Sequence, residues 1–176
     1  SAAYLPLMRV LRTLAAEDRR GLLTLGMTPV VTAQLDDPYC LDGMHHWVAN
    51  WGLRAQEAAT LPSESLRAFG IREQAEAGQA LDDFETLWRH GASPLLRELI
   101  SAGTVELLDG PLAHPFQPLL NPRLREFALR EGLADARQRF AHTPVGIWAP
   151  ECAYAPGMEF GYAEAGVGHF MVDGPS

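Results

Sequence analysis

Short apolar runs alternate with longer segments of helical periodicity along this chain, and no other feature constrains the fold as strongly. The predicted strands are Leu22–Met27, Thr104–Leu108, Val145–Trp148 and His169–Val172. Short apolar strands separated by helices predict an α/β fold, in which a parallel sheet is covered by helices. The pattern alone does not distinguish a barrel from an open sheet.

Start and stop signals delimit the helices between these strands. The predicted helical segments are Tyr4–Arg20, most of Tyr39–His90, Ser93–Gly103, Asn121–Phe140 and Pro156–Gly166. Thr28-Pro29 and Asn121-Pro122 each place a capping side chain before a first-turn proline. Within the long second segment, Ser63 predicts a cap and Gly70 a kink. That segment contains no strand candidate, so we expect a helical insertion there.

Composition and charge exclude several classes of protein. The 176 residues are 47% hydrophobic and 20% charged, as expected for a globular chain with a sizeable core. A net charge of -8 argues against a nucleic-acid surface. No apolar run approaches the roughly 18 residues that a membrane span needs. Only Cys40 and Cys152 are cysteines, and they lack metal-site spacing. We therefore expect a cytoplasmic, single-domain protein without nucleic-acid or membrane partners.

The segment Gly146–Tyr154 contains the strongest candidate for chemistry. Its apolar run ends in a Pro-Glu turn, which leaves Glu151 flanked by Trp148 and Tyr154. Aromatic faces suit the apolar side of a sugar ring, and a rigid carboxylate suits attack on an anomeric carbon. Barrels place such groups at the ends of their strands. On local chemistry alone, a helix-capping glutamate followed by Pro156 remains the alternative.

Two motifs in this chain resemble signatures of glycoside hydrolase family 57. Trp148–Tyr154, followed by Pro156-Gly157, is similar to the third motif of that family, most of all in its α-1,4-glucan branching enzymes. Upstream, Val105–Pro115 is similar to the second motif, which ends in a Thr-His pair where this chain has Ala113 and His114. The similarity runs from about Gly21 to the C-terminus. It implies an incomplete (β/α)7 barrel with parallel strands and a helical insertion.

The same resemblance implies a retaining mechanism with Glu151 as the catalytic nucleophile. The partner acid of the family is an aspartate in a fourth motif, downstream of the third, and the first motif, a His-x-His-x-Pro segment, is missing before Tyr4. We therefore expect residues 1–176 to be the central part of a catalytic barrel domain, truncated at both ends and inactive by itself. The mechanism requires no metal and no organic cofactor.

Four further residues are predicted to bind substrate: His114, Trp148, Tyr154 and Asp173. Three of them also have a structural interpretation: His114 as a satisfied histidine, Trp148 as a core tryptophan and Asp173 as a loop aspartate. Asp109, which precedes Gly110-Pro111, is predicted to be a turn residue. Cys152 is predicted to be a small buried filler, since no histidine lies in an obvious activating register.

The function implied by the resemblance is α-1,4-glucan branching, that is, α-1,4 cleavage followed by transfer to a 6-hydroxyl of a glycogen-like or amylose-like α-glucan. Within the family, α-amylase and 4-α-glucanotransferase activities remain open. From other classes, the alternatives are a non-catalytic carbohydrate-binding domain and a metal-dependent polysaccharide deacetylase. A deacetylase requires two histidines at i, i+4 spacing, and none of the six histidines offers that pair. The adjacent His45 and His46 point about 100° apart on a helix, so helical packing is favoured there. The oligomeric state stays open.

Overall fold

The computed structural model describes residues 3–174, so Ser1, Ala2, Pro175 and Ser176, at the ends of the predicted domain, lie outside the described residues. Seven α-helices and four strands follow one another in the order α1 (Tyr4–Ala16), β1 (Leu23–Gly26), α2 (Pro29–Asp36), α3 (Pro38–Ala58), α4 (Glu64–Asp83), α5 (Ala92–Ser101), β2 (Val105–Asp109), α6 (Pro122–Phe140), β3 (Gly146–Trp148), α7 (Met158–Glu164) and β4 (His169–Met171). A π-helical turn, Phe84–Trp88, extends α4, and two 3-10 turns occupy Gln117–Leu119 and Pro150–Cys152. None of these helices is long and apolar enough to cross a membrane.

The described residues fall into two compact units. The first, here called the helical unit, comprises the residues up to Leu14 together with Leu35–Leu95. The second, here called the sheet unit, comprises Ala15–Gln34 together with the residues from Leu96 onward, and it contains all four strands.

The four strands form one parallel sheet in the order β1-β2-β3-β4, so chain order and spatial order agree. The predicted α/β class with parallel strands is therefore confirmed. Side chains alternate across each strand, which gives the sheet two different faces. Ile147 faces the helices and belongs to a buried cluster with residues of α6, of α7 and of the loop after α7: Leu129, Leu133, Met158, Tyr162 and Val167. On the opposite face, the hydroxyl of Thr24 donates to Glu106 over 2.9 Å.

Helix α6 follows its sequence signals closely. Asn121 caps it by accepting a hydrogen bond from the backbone N–H of Arg123 over 3.0 Å, and Pro122 is its first residue. Gly132 has no side chain, and a Cβ at that position would collide with the backbone carbonyl of Gly110. The glycine therefore allows α6 to pack directly on the chain that leaves β2.

In the helical unit, α3 and α4 pack against each other, and the cap predicted at Ser63 is corrected. Ser63 precedes α4, but its hydroxyl contacts Ser65 Oγ at 3.1 Å and makes no capping hydrogen bond. Helix α4 continues through Gly70, which was predicted as a kink. A Cβ on Gly70 would overlap the backbone at Ala59, so this glycine serves the close approach of α4 to the end of α3.

Candidate active site

The ends of β1, β2 and β3 meet around a cavity of about 320 Å³ in the sheet unit. Because parallel strands all point the same way, the residues that follow them collect at one edge of the sheet. The lining residues are Gly26, Met27, Thr28, Asp109, Gly110, His114 and Trp148. Two of them are glycines, and a Cβ on Gly110 would lie 3.1 Å from the carbonyl oxygen of Trp148. At these two positions no side chain enters the cavity.

Glu151 lies in the 3-10 turn that follows β3. Its backbone is left-handed, with φ 56° and ψ 22°, and Cys152 is left-handed too, with φ 54°. Two successive non-glycine residues with positive φ are uncommon and strained. The turn is closed by hydrogen bonds from the N–H of Cys152 to Ala149 O (2.8 Å) and from the N–H of Ala153 to Pro150 O (3.1 Å). The carboxylate itself is exposed, with 70% of the side chain accessible.

The alternative of a helix-capping role for Glu151 finds no support in this geometry. Helix α7 begins at Met158, and Gly157 occupies its N-cap position. The acidic residue in the first turn of α7 is Glu159, which accepts a hydrogen bond from the N–H of Gly157 over 2.7 Å. Glu151 belongs to an earlier turn, where its side chain is directed at another partner.

That partner is His114, which follows β2. His114 Nε2 lies 3.6 Å from Glu151 Oε1, and on the other side of the ring Nδ1 lies 3.4 Å from Thr28 Oγ1. His114 also has a left-handed backbone, with φ 52°, and its N–H donates to Pro111 O over 3.1 Å. The structure therefore brings together the glutamate and the histidine that the two motifs singled out. Apo sites often hold such pairs slightly beyond hydrogen-bond distance until substrate closes them.

Trp148 ends β3 on the wall of the cavity, and 43% of it is exposed. Gly26 also lines the cavity and is its neighbour, since a Cβ on Gly26 would stand 4.0 Å from the Trp148 Cβ. An indole with one open face beside a carboxylate can bind the apolar face of a sugar ring.

Tyr154 and Asp173 lie near the Glu151 turn but do not line the described cavity. The hydroxyl of Tyr154 donates to Glu159 Oε2 over 2.7 Å, and its ring stacks on Phe170 with centroids 5.9 Å apart. This hydrogen bond raises the pKa of Tyr154 and lowers the pKa of Glu159. The N–H of Asp173 donates to the carbonyl of Cys152 over 3.2 Å, so the end of β4 is fastened to the turn.

Cys152 is half-buried in that turn. Desolvation raises the pKa of its thiol, and the neighbouring Asp173 carboxylate raises it further. A thiol with a raised pKa is a poor nucleophile at neutral pH, since the thiolate is the reactive form. The predicted packing role of Cys152 is therefore consistent with its surroundings, although the side chain is not fully buried.

Asp109 was predicted to be a turn residue and is instead the last residue of β2, with only 3% of its surface exposed. Desolvation raises its pKa to about 7; the N–H of Gly110 and the charge of Arg139 act in the lowering direction, and Asp135 in the raising direction. Within residues 3–174, its Oδ2 atom has no hydrogen-bond partner. Asp109 continues the apolar strand instead of turning away from it, so its carboxylate is carried into the interior with the strand.

The comparison with known sequences decides the family. The profile of Glycosyl hydrolase family 57 matches residues 76–176, which is more than half of the chain. The chain belongs to glycosyl hydrolase family 57. It is 72% identical, over its whole length, to a probable 1,4-alpha-glucan branching enzyme of Mycobacterium tuberculosis, of which it covers 36%. It is also 28% identical to a 1,4-alpha-glucan branching enzyme of Thermococcus kodakarensis. That match covers 91% of this chain and 24% of the Thermococcus protein.

Solved structures of known enzymes show the same fold. The GH57-type branching enzyme of Pyrococcus horikoshii is 25% identical and superposes with a TM-score of 0.88, over 95% of this chain and 35% of that one. The alpha-amylase AmyC of Thermotoga maritima is 18% identical, with a TM-score of 0.83 over 96% and 33%. The predicted family and the predicted incomplete barrel are thus confirmed. The chain spans about a third of the length of the Mycobacterium relative, and the predicted domain boundaries stay a prediction.

Proposed function

We propose that this family 57 chain forms the nucleophile-bearing part of a 1,4-α-glucan branching enzyme, with Glu151 as the nucleophile. The observation that supports the proposal is the pairing of His114 Nε2 with Glu151 Oε1 at 3.6 Å, at the ends of two strands and beside the cavity lined by Trp148. The 72% identity to a probable branching enzyme supports this choice of reaction within the family. The substrate would be an α-glucan of the glycogen or amylose type.

In the first half of the proposed reaction, a Glu151 carboxylate oxygen attacks C1 of a glucosyl unit. The C1–O4 bond breaks, and the departing 4-oxygen takes a proton from a general acid, which the family resemblance assigns to a downstream aspartate. In the second half, the 6-hydroxyl of an acceptor chain attacks C1 and returns its proton to that aspartate, while the bond to Glu151 breaks. The product is an α-1,6 branch, and the configuration at C1 is retained.

The surroundings of Glu151 suit a nucleophile. The left-handed turn holds its carboxylate outward, where 70% of the side chain is accessible to a substrate. An Nε2–H group on His114 would orient one carboxylate oxygen and leave the other to attack. Trp148 would support the sugar ring through its open face.

We extend the proposed substrate contacts to Tyr154 and Asp173, which flank the same turn. Tyr154 presents a ring that is 43% exposed, and its hydroxyl is already fixed by Glu159. Asp173 is exposed and anchored to the turn through its backbone N–H. Neither lines the cavity itself, so we assign them to sugar units beyond the one that reacts.

The test is Glu151→Gln in the complete gene product, assayed on amylose by NMR quantification of new α-1,6 linkages. Loss of one member of a catalytic pair is expected to lower the rate by about three orders of magnitude or more. The matched control is Glu164→Gln, an exposed glutamate at the end of α7, which is expected to retain full activity. Trapping with a mechanism-based glycosyl label should place the covalent bond on the peptide that contains Glu151.

Other outcomes of the same assay separate the alternatives. Reducing sugar without new α-1,6 linkages would identify an α-amylase, and redistributed α-1,4 chains would identify a 4-α-glucanotransferase. Binding of glucan without turnover by wild-type protein would identify a carbohydrate-binding domain. Unchanged branching in the Glu151→Gln variant would overturn the assignment of the nucleophile.

A further inference from the structure

Thr28 directly precedes α2, yet its side chain contacts His114 of the candidate site. It follows β1 by way of Met27, whose N–H donates to Leu108 O over 2.9 Å and so extends the pairing of β1 with β2. The carbonyl of Thr28 accepts hydrogen bonds from the N–H of Thr32 over 3.0 Å and from the Thr32 hydroxyl over 3.1 Å. The sheet on one side and the first turn of α2 on the other therefore fix the backbone of Thr28.

The Thr28 hydroxyl was predicted to cap α2, but it is directed at His114 instead. Thr28 Oγ1 lies 3.4 Å from His114 Nδ1, while the opposite ring nitrogen, Nε2, lies 3.6 Å from Glu151 Oε1. The three side chains thus form a line in which the imidazole is held between a hydroxyl and a carboxylate. They come from the ends of three different strands, so the arrangement exists only when β1, β2 and β3 are paired.

We propose that Thr28 is a positioning residue, which keeps the proton of neutral His114 on Nε2 so that an N–H group faces the carboxylate of Glu151. The inference rests on the function proposed for Glu151. An ionised carboxylate only accepts hydrogen bonds, whereas a neutral imidazole carries one N–H and one acceptor nitrogen. If Nε2 carries the proton, Nδ1 must accept, and the Thr28 hydroxyl is placed to donate to it.

The opposite tautomer would place a lone pair of Nε2 against the negative charge of Glu151. The hydrogen bond made by one ring nitrogen of a histidine sets which nitrogen carries the proton. In the tautomer that Glu151 requires, removing the Thr28 hydroxyl leaves Nδ1 without its donor, so this tautomer is less favoured and the imidazole presents the wrong nitrogen more often. Thr28 would act on the reaction only through His114, without touching the substrate.

Thr28→Val and Thr28→Ser, made in the complete gene product, separate this role from a structural one. Valine keeps the branched shape without the hydroxyl, and kcat on amylose is expected to fall about tenfold, the value of one orienting hydrogen bond. Serine keeps the hydroxyl and is expected to stay within about threefold of the wild type, with KM little changed in both variants. Failure of serine to restore kcat would contradict the proposal.

A double-mutant cycle with His114→Ala provides the sharper test. If Thr28 acts through His114, adding Thr28→Val to His114→Ala lowers kcat no further, since the partner is already gone. If Thr28→Val costs the same factor in both backgrounds, Thr28 supports α2 or the strand end instead and the proposal fails. Thermal unfolding of each variant reports whether any loss comes from the fold.

The tautomer can also be observed without any assay of activity. In protein labelled with ¹⁵N-histidine, the His114 signals, assigned by their loss in His114→Ala, should show the proton on Nε2 in the wild type and in Thr28→Ser. Thr28→Val should show a mixture of tautomers. A wild-type ring protonated on Nδ1 would overturn the proposal even in an active enzyme. Absence of glucan turnover together with the expected tautomer would overturn the proposed function alone.

Discussion

Replacing Asp109 by asparagine should make the protein more stable, and the gain should grow with pH. The carboxyl is 3% exposed, and desolvation raises its pKa from 3.8 to about 7. The folded state therefore binds the proton more tightly than the unfolded chain does. The contribution of the Asp109 carboxyl to the unfolding free energy is fully present below pH 3.8, decreases as pH rises from there, and is lost above pH 7.

The magnitude follows from the size of that shift. A rise of about three pKa units corresponds to about 4 kcal/mol once the carboxyl is ionised in both states. Between pH 5 and pH 8 the wild type should lose roughly 2.5 kcal/mol of unfolding free energy through Asp109, an order-of-magnitude figure for a buried carboxyl. Asparagine has nearly the same shape and carries no charge at either pH, so any constant packing cost cancels in the comparison of the two pH values.

The assay is urea unfolding of wild type and Asp109→Asn at pH 5 and pH 8, with the free energies extrapolated to water. The advantage of the variant should be larger at pH 8 by about 2 to 3 kcal/mol. Asp82→Asn, at an exposed aspartate of α4, is the control and should run parallel to the wild type. An equal or smaller advantage at pH 8 would refute the argument that burial keeps Asp109 protonated.

Two further predictions concern α6. Gly132→Ala should lower the unfolding free energy by about 1 to 3 kcal/mol despite the higher helix propensity of alanine, because the new Cβ meets the backbone carbonyl of Gly110. The control is Gly78→Ala in α4, where no atom lies within 4 Å of the new Cβ, and it should raise the unfolding free energy by about 0.5 to 1 kcal/mol. Changes of the same sign for both variants in urea unfolding would contradict this reasoning. Asn121→Ala should remove the cap of α6 and lower the urea midpoint by the equivalent of about 1 kcal/mol, whereas Asn121→Asp should keep most of it.

Local signals account for the parts of the fold that the sequence predicts well. The cap at Asn121, the proline after it and the apolar spacing up to Phe140 all act within one helix, and α6 has these bounds. By contrast, the hydroxyl of Ser63 pairs with the hydroxyl of Ser65 and does not cap α4. The predicted helix Tyr4–Arg20 ends at Ala16, because Asp18 turns left-handed with φ 56° before Gly21 is reached.

The site shows the same division between local and non-local information. Glu151 and His114 could be singled out as candidate site residues because each lies in a contiguous motif. The positions of Thr28 and Asp109 could not, since both depend on the parallel pairing of β1 with β2, whose partners Leu23 and Val105 are far apart in sequence. The pairing of the strands decides which way a hydroxyl or carboxylate at a strand end points, and the local sequence does not predict that pairing.

Backbone strain gives an independent reason to place the chemistry at this edge of the sheet. Five non-glycine residues among those described have positive φ, and three of them are His114, Glu151 and Cys152. The other two serve chain reversals, Ala141 after α6 and Asp18 after α1. Each such conformation costs about 1 to 3 kcal/mol and persists only where the surrounding structure enforces it. A chain selected for stability alone would relax these turns, for instance with glycine. Their presence on the two loops that bring the imidazole of His114 to the carboxylate of Glu151 therefore supports the roles proposed for these two residues.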